Sequence, residues 1–256
     1  EQLRTLPGVD PERIYIFGHS MGGVMAPYLI AEKPVRGVIV FGTLARTWFE
    51  YQLENTRRQL ALRGATQGQI SEAVQAEARS SSMILVEKKT LGDVWARYPE
   101  LKVEDPMLEP ERMSSRHMRF YHQLQDLNIA RAWEEAAAKP GAPRVLAIHG
   151  AYDWVTTLED HELIAALAGK EGGKDRGETL SMPATDHAFT THNSLDESLN
   201  AMGQGTWNAQ LPVEILAWIE RVEQGDRKDS VAPEAPTIER AGGDTSPPKM
   251  SEDGPA

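Results

Sequence analysis

The sequence predicts an α/β protein in which a parallel sheet is flanked by helices and interrupted by an inserted all-helical segment. Three observations predict it. A strand, a glycine-rich turn, a helix and a second strand follow one another from Arg13 to Gly42, strand patterning then nearly vanishes from about Thr47 to Ala138, and a strand, helix and strand pattern resumes from Arg144 to Met182. Strand, helix and strand in that order make a right-handed parallel crossover, because a twisted strand feeding a right-handed helix packs back on its sheet only that way.

Arg13-Ile14-Tyr15-Ile16-Phe17 is a β-branched and aromatic run that reads as a buried strand. Gly18 to Gly23 reads as a sharp turn, and Val24 to Glu32 as a helix on the sheet, with Pro27 expected within its first turn, where a missing N–H is tolerated. Val35 to Gly42 is a second buried strand. Beyond it Ile70, Val74, Ser81 and Leu85 fall near helical spacing, as do His117, Phe120, Tyr121 and Leu124. Asn128 suits the N-cap of a helix over Ile129 to Ala138, and Pro99, Pro106 and Pro110 divide the helices. Arg144 to Gly150 is the next strand, Leu158 to Ala168 a helix, Glu178 to Met182 a short strand, and Leu211 to Val222 the last helix. From Gln224 onward prolines recur with scarcely any apolar residue, the composition of a disordered tail. The chain thus divides into one core built from 1–46 and 141–223, a helical insertion over 47–140, and a tail over 224–256.

The 256 residues give room for one fair-sized domain carrying an inserted module. With 27 Lys and Arg against 38 Asp and Glu the formal charge is −11, and no basic stripe exists to meet phosphates, so nucleic acid is excluded as a partner. Cysteine is absent, which excludes a disulfide framework, a thiolate nucleophile and a Cys-ligated metal. No apolar run reaches the roughly 18 to 20 residues a membrane-spanning helix needs.

Gly18-His19-Ser20-Met21-Gly22 matches G-x-S-x-G and lies where that pattern carries chemistry, between a strand and a helix. A nucleophilic serine must project its Oγ from a strained turn, and small neighbours permit the close backbone approach. The amide of Met21, next after Ser20, is positioned to face a developing oxyanion. Such a serine needs a base, and the base an orienting carboxylate. Asp153 follows the strand ending at Gly150, and His187 follows the strand ending at Met182, so both lie on loops at the C-terminal ends of parallel strands, where sites in open α/β sheets gather. The chain order is Ser20, Asp153, His187.

On these residues the chain resembles an α/β-hydrolase, nearest the serine-aminopeptidase-like and prolyl-oligopeptidase-like branch that carries Gly-His-Ser-Met-Gly-Gly. The similarity covers Asp10 to about Thr43 and about Pro143 to Arg221, and the helical middle resembles the cap such enzymes insert. The resemblance implies a partial α/β-hydrolase sheet with Ser20 as nucleophile, His187 as base, Asp153 as acid and the Met21 amide as one oxyanion donor. It implies no metal or organic cofactor, and a small-molecule acyl or peptide substrate. Family members build several strands before the nucleophile strand, and a loop among them supplies a second oxyanion amide. Nothing before Arg13 can supply that region. The Arg13 to Phe17 strand is therefore expected to present an open sheet edge.

Other polar residues read more blandly. His19 packs under the turn, His149 is a satisfied strand-end histidine, and His161 lies on the solvent side of a helix. His192 follows the same strand as His187 but five residues later. Asp186 adjoins the base in sequence and reads as a loop carboxylate outside the site, and Asp160 lies within a helix. Arg57-Arg58, Lys88-Lys89 and Arg116 to Arg119 read as solvated faces, and Trp48, Phe49, Tyr51, Trp95, Phe120, Tyr121 and Trp133 as internal packing of the insertion. The expected activity is hydrolysis of a carboxylic ester or similar acyl compound. A serine peptidase with the same residues, and a non-catalytic binding module, are the alternatives.

Overall fold

The structure is a computed structural model that describes residues 2–102, 115–170 and 176–230. Its core follows the expected alternation: β1 (Tyr15–His19), α1 (Met21–Glu32) and β2 (Gly37–Phe41) come first. The helices α2 (Trp48–Leu62), α3 (Gln67–Ser81), α4 (Leu91–Arg97), α5 (Ser115–Gln125) and α6 (Ile129–Ala137) follow. Then come β3 (Arg144–Gly150), α7 (Leu158–Lys170), β4 (Gly177–Met182), β5 (Thr190–Thr191), α8 (Leu195–Ala201), β6 (Thr206–Trp207) and α9 (Gln210–Ser230).

β1 to β4 form one sheet in sequence order, all pairs parallel, with Phe17 opposite Ile39, Ile39 opposite Leu146 and Leu146 opposite Glu178. β2 throughout, and β3 from Val145 to Ile148, are apolar because both of their faces are covered. Val38, Val40, Val145 and Ala147 pack on one face with Val24 and Ile30 of α1, Trp133 of α6 and Ile164 of α7. Ile39, Phe41, Leu146 and Ile148 pack on the other with Leu211, Trp218 and Val222 of α9. Each side chain of this size removed from water stabilises the fold by about 1.5–3 kcal/mol, so the alternating residues of β2 and β3 hold both helical layers to one sheet.

Between 48 and 137 the described residues hold helices and no strand. Reciprocal caps start three of them: Thr47 with Glu50, Thr66 with Gln69, and Thr90 with Asp93 each satisfy two end amides. Asn128 caps α6 as its side chain predicts, accepting from the Arg131 amide.

Three expectations need correction. Pro27 is the seventh residue of α1, beyond the first turn, and this buried position shows packing overriding the local cost of a missing N–H. The last helix continues past Val222 to Ser230, because Glu223 ties its flank to the sheet by accepting from the Tyr15 hydroxyl at 2.6 Å and pairing with Arg13 at 2.8 Å. The rest of the expected tail, 231–256, lies outside the described residues. The antiparallel pair β5 and β6 and the short α8 follow β4 where no element was expected.

Candidate active site

Ser20 joins β1 to α1 with φ 52° and ψ −118°, a left-handed conformation that a serine adopts only when its surroundings enforce it. Here they do. Its N–H donates to the Phe41 carbonyl at 2.9 Å, and its own carbonyl accepts from the Thr43 hydroxyl at 2.9 Å. Thr43 reaches that carbonyl only because Gly23 lacks a Cβ, which would fall 2.5 Å from Thr43 Oγ1. Met21 opens α1, so its amide is among the first-turn N–H groups that helix geometry leaves without an intrahelical partner.

Asp153 sits in the turn after β3 with its carboxylate fully buried. Oδ1 accepts from the amides of Val155 at 2.6 Å and Thr156 at 2.9 Å, and Oδ2 accepts from the Thr156 hydroxyl at 2.7 Å and His187 Nδ1 at 2.9 Å. Burial pushes the carboxyl up, but the bond to and charge of His187 and the Thr156 donors outweigh it and hold the group at about 2. Asp153 is therefore ionised at neutral pH and fixes the proton on His187 Nδ1. His187 Nε2 is left as the free ring nitrogen.

His187 rides the loop after β4, and its carbonyl lies 2.9 Å from His19 Nε2, which donates to it. The two rings lie 4.9 Å apart, and His19 also packs on Phe189 at 4.4 Å. Burial, and then the charge of His187, lower the His19 ring's affinity for protons. His19 therefore packs at the turn as expected and also touches the loop that carries His187. No hydrogen bond joins Ser20 to His187 among the described residues, though both stand at the C-terminal end of the sheet.

The segment after β2 escaped sequence reasoning. Gly42, at φ +56°, lies so close to the Asp153 and His187 side chains that a Cβ would fall 2.9 Å from His187 Nδ1 and 3.2 Å from Asp153 Oδ2. Its location, immediately beyond a parallel strand, was the available signal. Thr43 and Ala45 donate their amides to His161 Nε2 at 3.2 Å and Asp160 Oδ1 at 3.1 Å.

Several bland readings change accordingly. His161 is fully buried rather than solvent-facing, because its two nitrogens serve the Thr43 amide and the Thr157 carbonyl. His149 is only half satisfied: Nε2 lies 3.4 Å from the Thr156 carbonyl, while Nδ1 is buried without a partner. Arg58 is not merely solvated, since with Gln59 it donates to carbonyls of Trp154 and Val155, fastening α2 to the Asp153 loop. Asp186 is completely buried and bonds His192 at 2.9 Å, not the ring of His187. Among the described residues no cluster of His, Asp and Glu could hold a metal ion, and no helix is long and apolar enough to cross a membrane.

No protein-family model and no curated protein matches the chain. Solved structures that it resembles include MGS-M2, an alpha/beta hydrolase enzyme from a Medee basin deep-sea metagenome library, at 13% identity and a TM-score of 0.40, covering 83% of this chain and 65% of that one. Another is a thermostable carboxyl esterase from Bacillus coagulans, at 21% identity and a TM-score of 0.36, covering 67% and 56%. A third is the acylaminoacyl peptidase of Pyrococcus horikoshii, at 17% identity and a TM-score of 0.35, covering 77% and 23%.

Proposed function

We propose that the chain is a serine hydrolase of carboxylic esters or similar acyl compounds, with Ser20 as nucleophile, His187 as base and Asp153 as the carboxylate that orients it. The observation that carries this reading is the 2.9 Å bond from His187 Nδ1 to a buried, ionised Asp153, beside a serine held at φ 52° on a strand-to-helix turn. Ser20 Oγ attacks the carbonyl carbon while its proton passes to His187 Nε2, and Asp153 stabilises the imidazolium that forms. The resulting oxyanion faces the Met21 amide at the positive end of α1. Collapse expels the alcohol, which takes the proton from His187. Water then attacks the acyl carbon as it gives its proton to His187, and His187 returns that proton to Ser20 Oγ as the acyl–oxygen bond breaks and the acid leaves.

In this reading the helices over 47–140 cover the nucleophile and limit what reaches it. Its support is their insertion between β2 and β3, whose ends carry Gly42 and Asp153, and the grip of Arg58 and Gln59 on the Asp153 loop. The test is a fluorophosphonate probe together with a panel of short p-nitrophenyl esters and aminoacyl amides. Ser20 alone should be labelled, and Ser20→Ala should remove both labelling and turnover. Undiminished labelling of the alanine variant would overturn the assignment, while turnover of amides in preference to esters would shift the substrate class to peptides.

A further inference from the structure

The loop from Pro183 to His192 carries more internal bonding than a connector needs. Asp186 is fully buried, and its Oδ1 accepts from the amides of Ala188 at 2.9 Å and Thr190 at 2.8 Å. Its Oδ2 accepts from the Thr190 hydroxyl at 2.7 Å and from His192 Nε2 at 2.9 Å. The backbone closes the same ring, because the Asp186 N–H donates to the Thr190 carbonyl at 2.9 Å and the His192 N–H donates to the Ala184 carbonyl at 2.9 Å. Within it Ala184 and Phe189 stand at φ 53° and 64°, conformations that side-chain-bearing residues hold only when other contacts insist. His187 lies inside this closed loop, between the carboxylate-bearing residue and the first amide that the carboxylate captures.

We propose that Asp186, with Thr190 and His192, is a positioning clasp that sets the reach of His187 toward Asp153 and Ser20. This rests on the reading of His187 as the base. Asp186 touches no reacting atom in that scheme. It acts by pinning the backbone on either side of His187, so that the ring meets Asp153 without a search among loop conformers. Two Asp–His pairs therefore stand side by side in this loop region: buried Asp153 with His187, whose ring is 18% exposed, and Asp186 with His192, sealed. The charged and titratable groups facing the His187 ring are Asp153 and His19. The sealed pair serves geometry and not proton transfer.

Asp186→Asn keeps an oxygen for the two amides but replaces the second acceptor with an NH2 group facing His192 and Thr190. In the full chain it should lower kcat about ten- to a hundredfold with KM within about twofold, since misplacement near 1 Å costs about that much. Thr190→Val should give a smaller loss of the same kind and Thr190→Ser should restore it, with thermal melts confirming folded protein. The low-field proton resonance of His187 Nδ1 reads the same geometry without turnover and should shift in Asp186→Asn. Folded Asp186→Asn and Thr190→Val proteins with wild-type kcat and proton resonance would overturn the clasp while leaving the Ser20 reading intact. A wild-type rate in Ser20→Ala would instead overturn the hydrolase reading, and the resonance alone would then decide the clasp.

Discussion

Gly42 shows how much a site can depend on an atom that is not there. Its Cα faces the Asp153 to His187 hydrogen bond, and its amide is fixed by the Ile148 carbonyl at 3.1 Å, so the backbone cannot retreat cheaply. Gly42→Ala adds a methyl 2.9 Å from His187 Nδ1 at φ +56°, where a Cβ costs about 1–2 kcal/mol in itself. The expected outcome is a fall in kcat of about ten- to a hundredfold with a smaller loss of stability, separable by steady-state kinetics and thermal melts. An alanine variant that keeps the wild-type kcat would show that the ring has room to move aside. Ser20, Asp153 and His187 were legible because each is a chemically distinctive residue just past a recognisable strand. Gly42 was not, since its role depends on side chains more than a hundred residues away that only the folded sheet brings to it. His161 was misread for a related reason: a polar side chain looks solvated until its buried partner, here the Thr43 amide, is known.

At the scale of elements, the start of α7 is a brace for the loop after β2. His161 accepts from Thr43 and Asp160 accepts from Ala45, so the helix end holds the segment that supports both Ser20 and the Asp153 to His187 pair. Burial above all, aided by the charge of His149, holds His161 down at about 4, against an unfolded value near 6.5. The unfolded chain therefore binds more protons between these two values. Stability from this group is complete above about pH 6.5 and is lost as pH falls toward 4, by on the order of 3 kcal/mol. Urea denaturation of wild type and His161→Phe at several pH values should show a less stable variant at pH 7 whose stability changes less between pH 6.5 and 4. Parallel pH profiles for the two proteins would remove His161 as the source. β2 and most of β3 could be read directly from their apolar runs, and α6 from the Asn128 at its start. β5, β6 and α8 could not, since two-residue strands and a seven-residue helix are too short to establish a period.

For the molecule as a whole, β1 is the outermost strand of its sheet among the described residues, and Phe17 on it is 46% exposed. Met25 and Leu29, one helical turn apart on α1, are 43% and 51% exposed. An open strand edge beside such residues favours association, which the net charge of −11 opposes until salt screens it. Light scattering should therefore register more self-association as salt rises, and less in Met25→Lys/Leu29→Glu; equal behaviour of the two proteins would place the sticky surface elsewhere. The connection between β2 and β3 has another consequence. Gly37 pairs with Arg144 across the whole helical insertion, yet the entropy of closing such a connection grows only with the logarithm of its length, and a tenfold shorter one would save only about 2 kcal/mol. The ladder is nearly indifferent to what it spans. The entropy of closing the chain therefore sets little limit on how long this insertion can be, and what keeps its helices in place is their packing, as with Trp133 of α6 in the core.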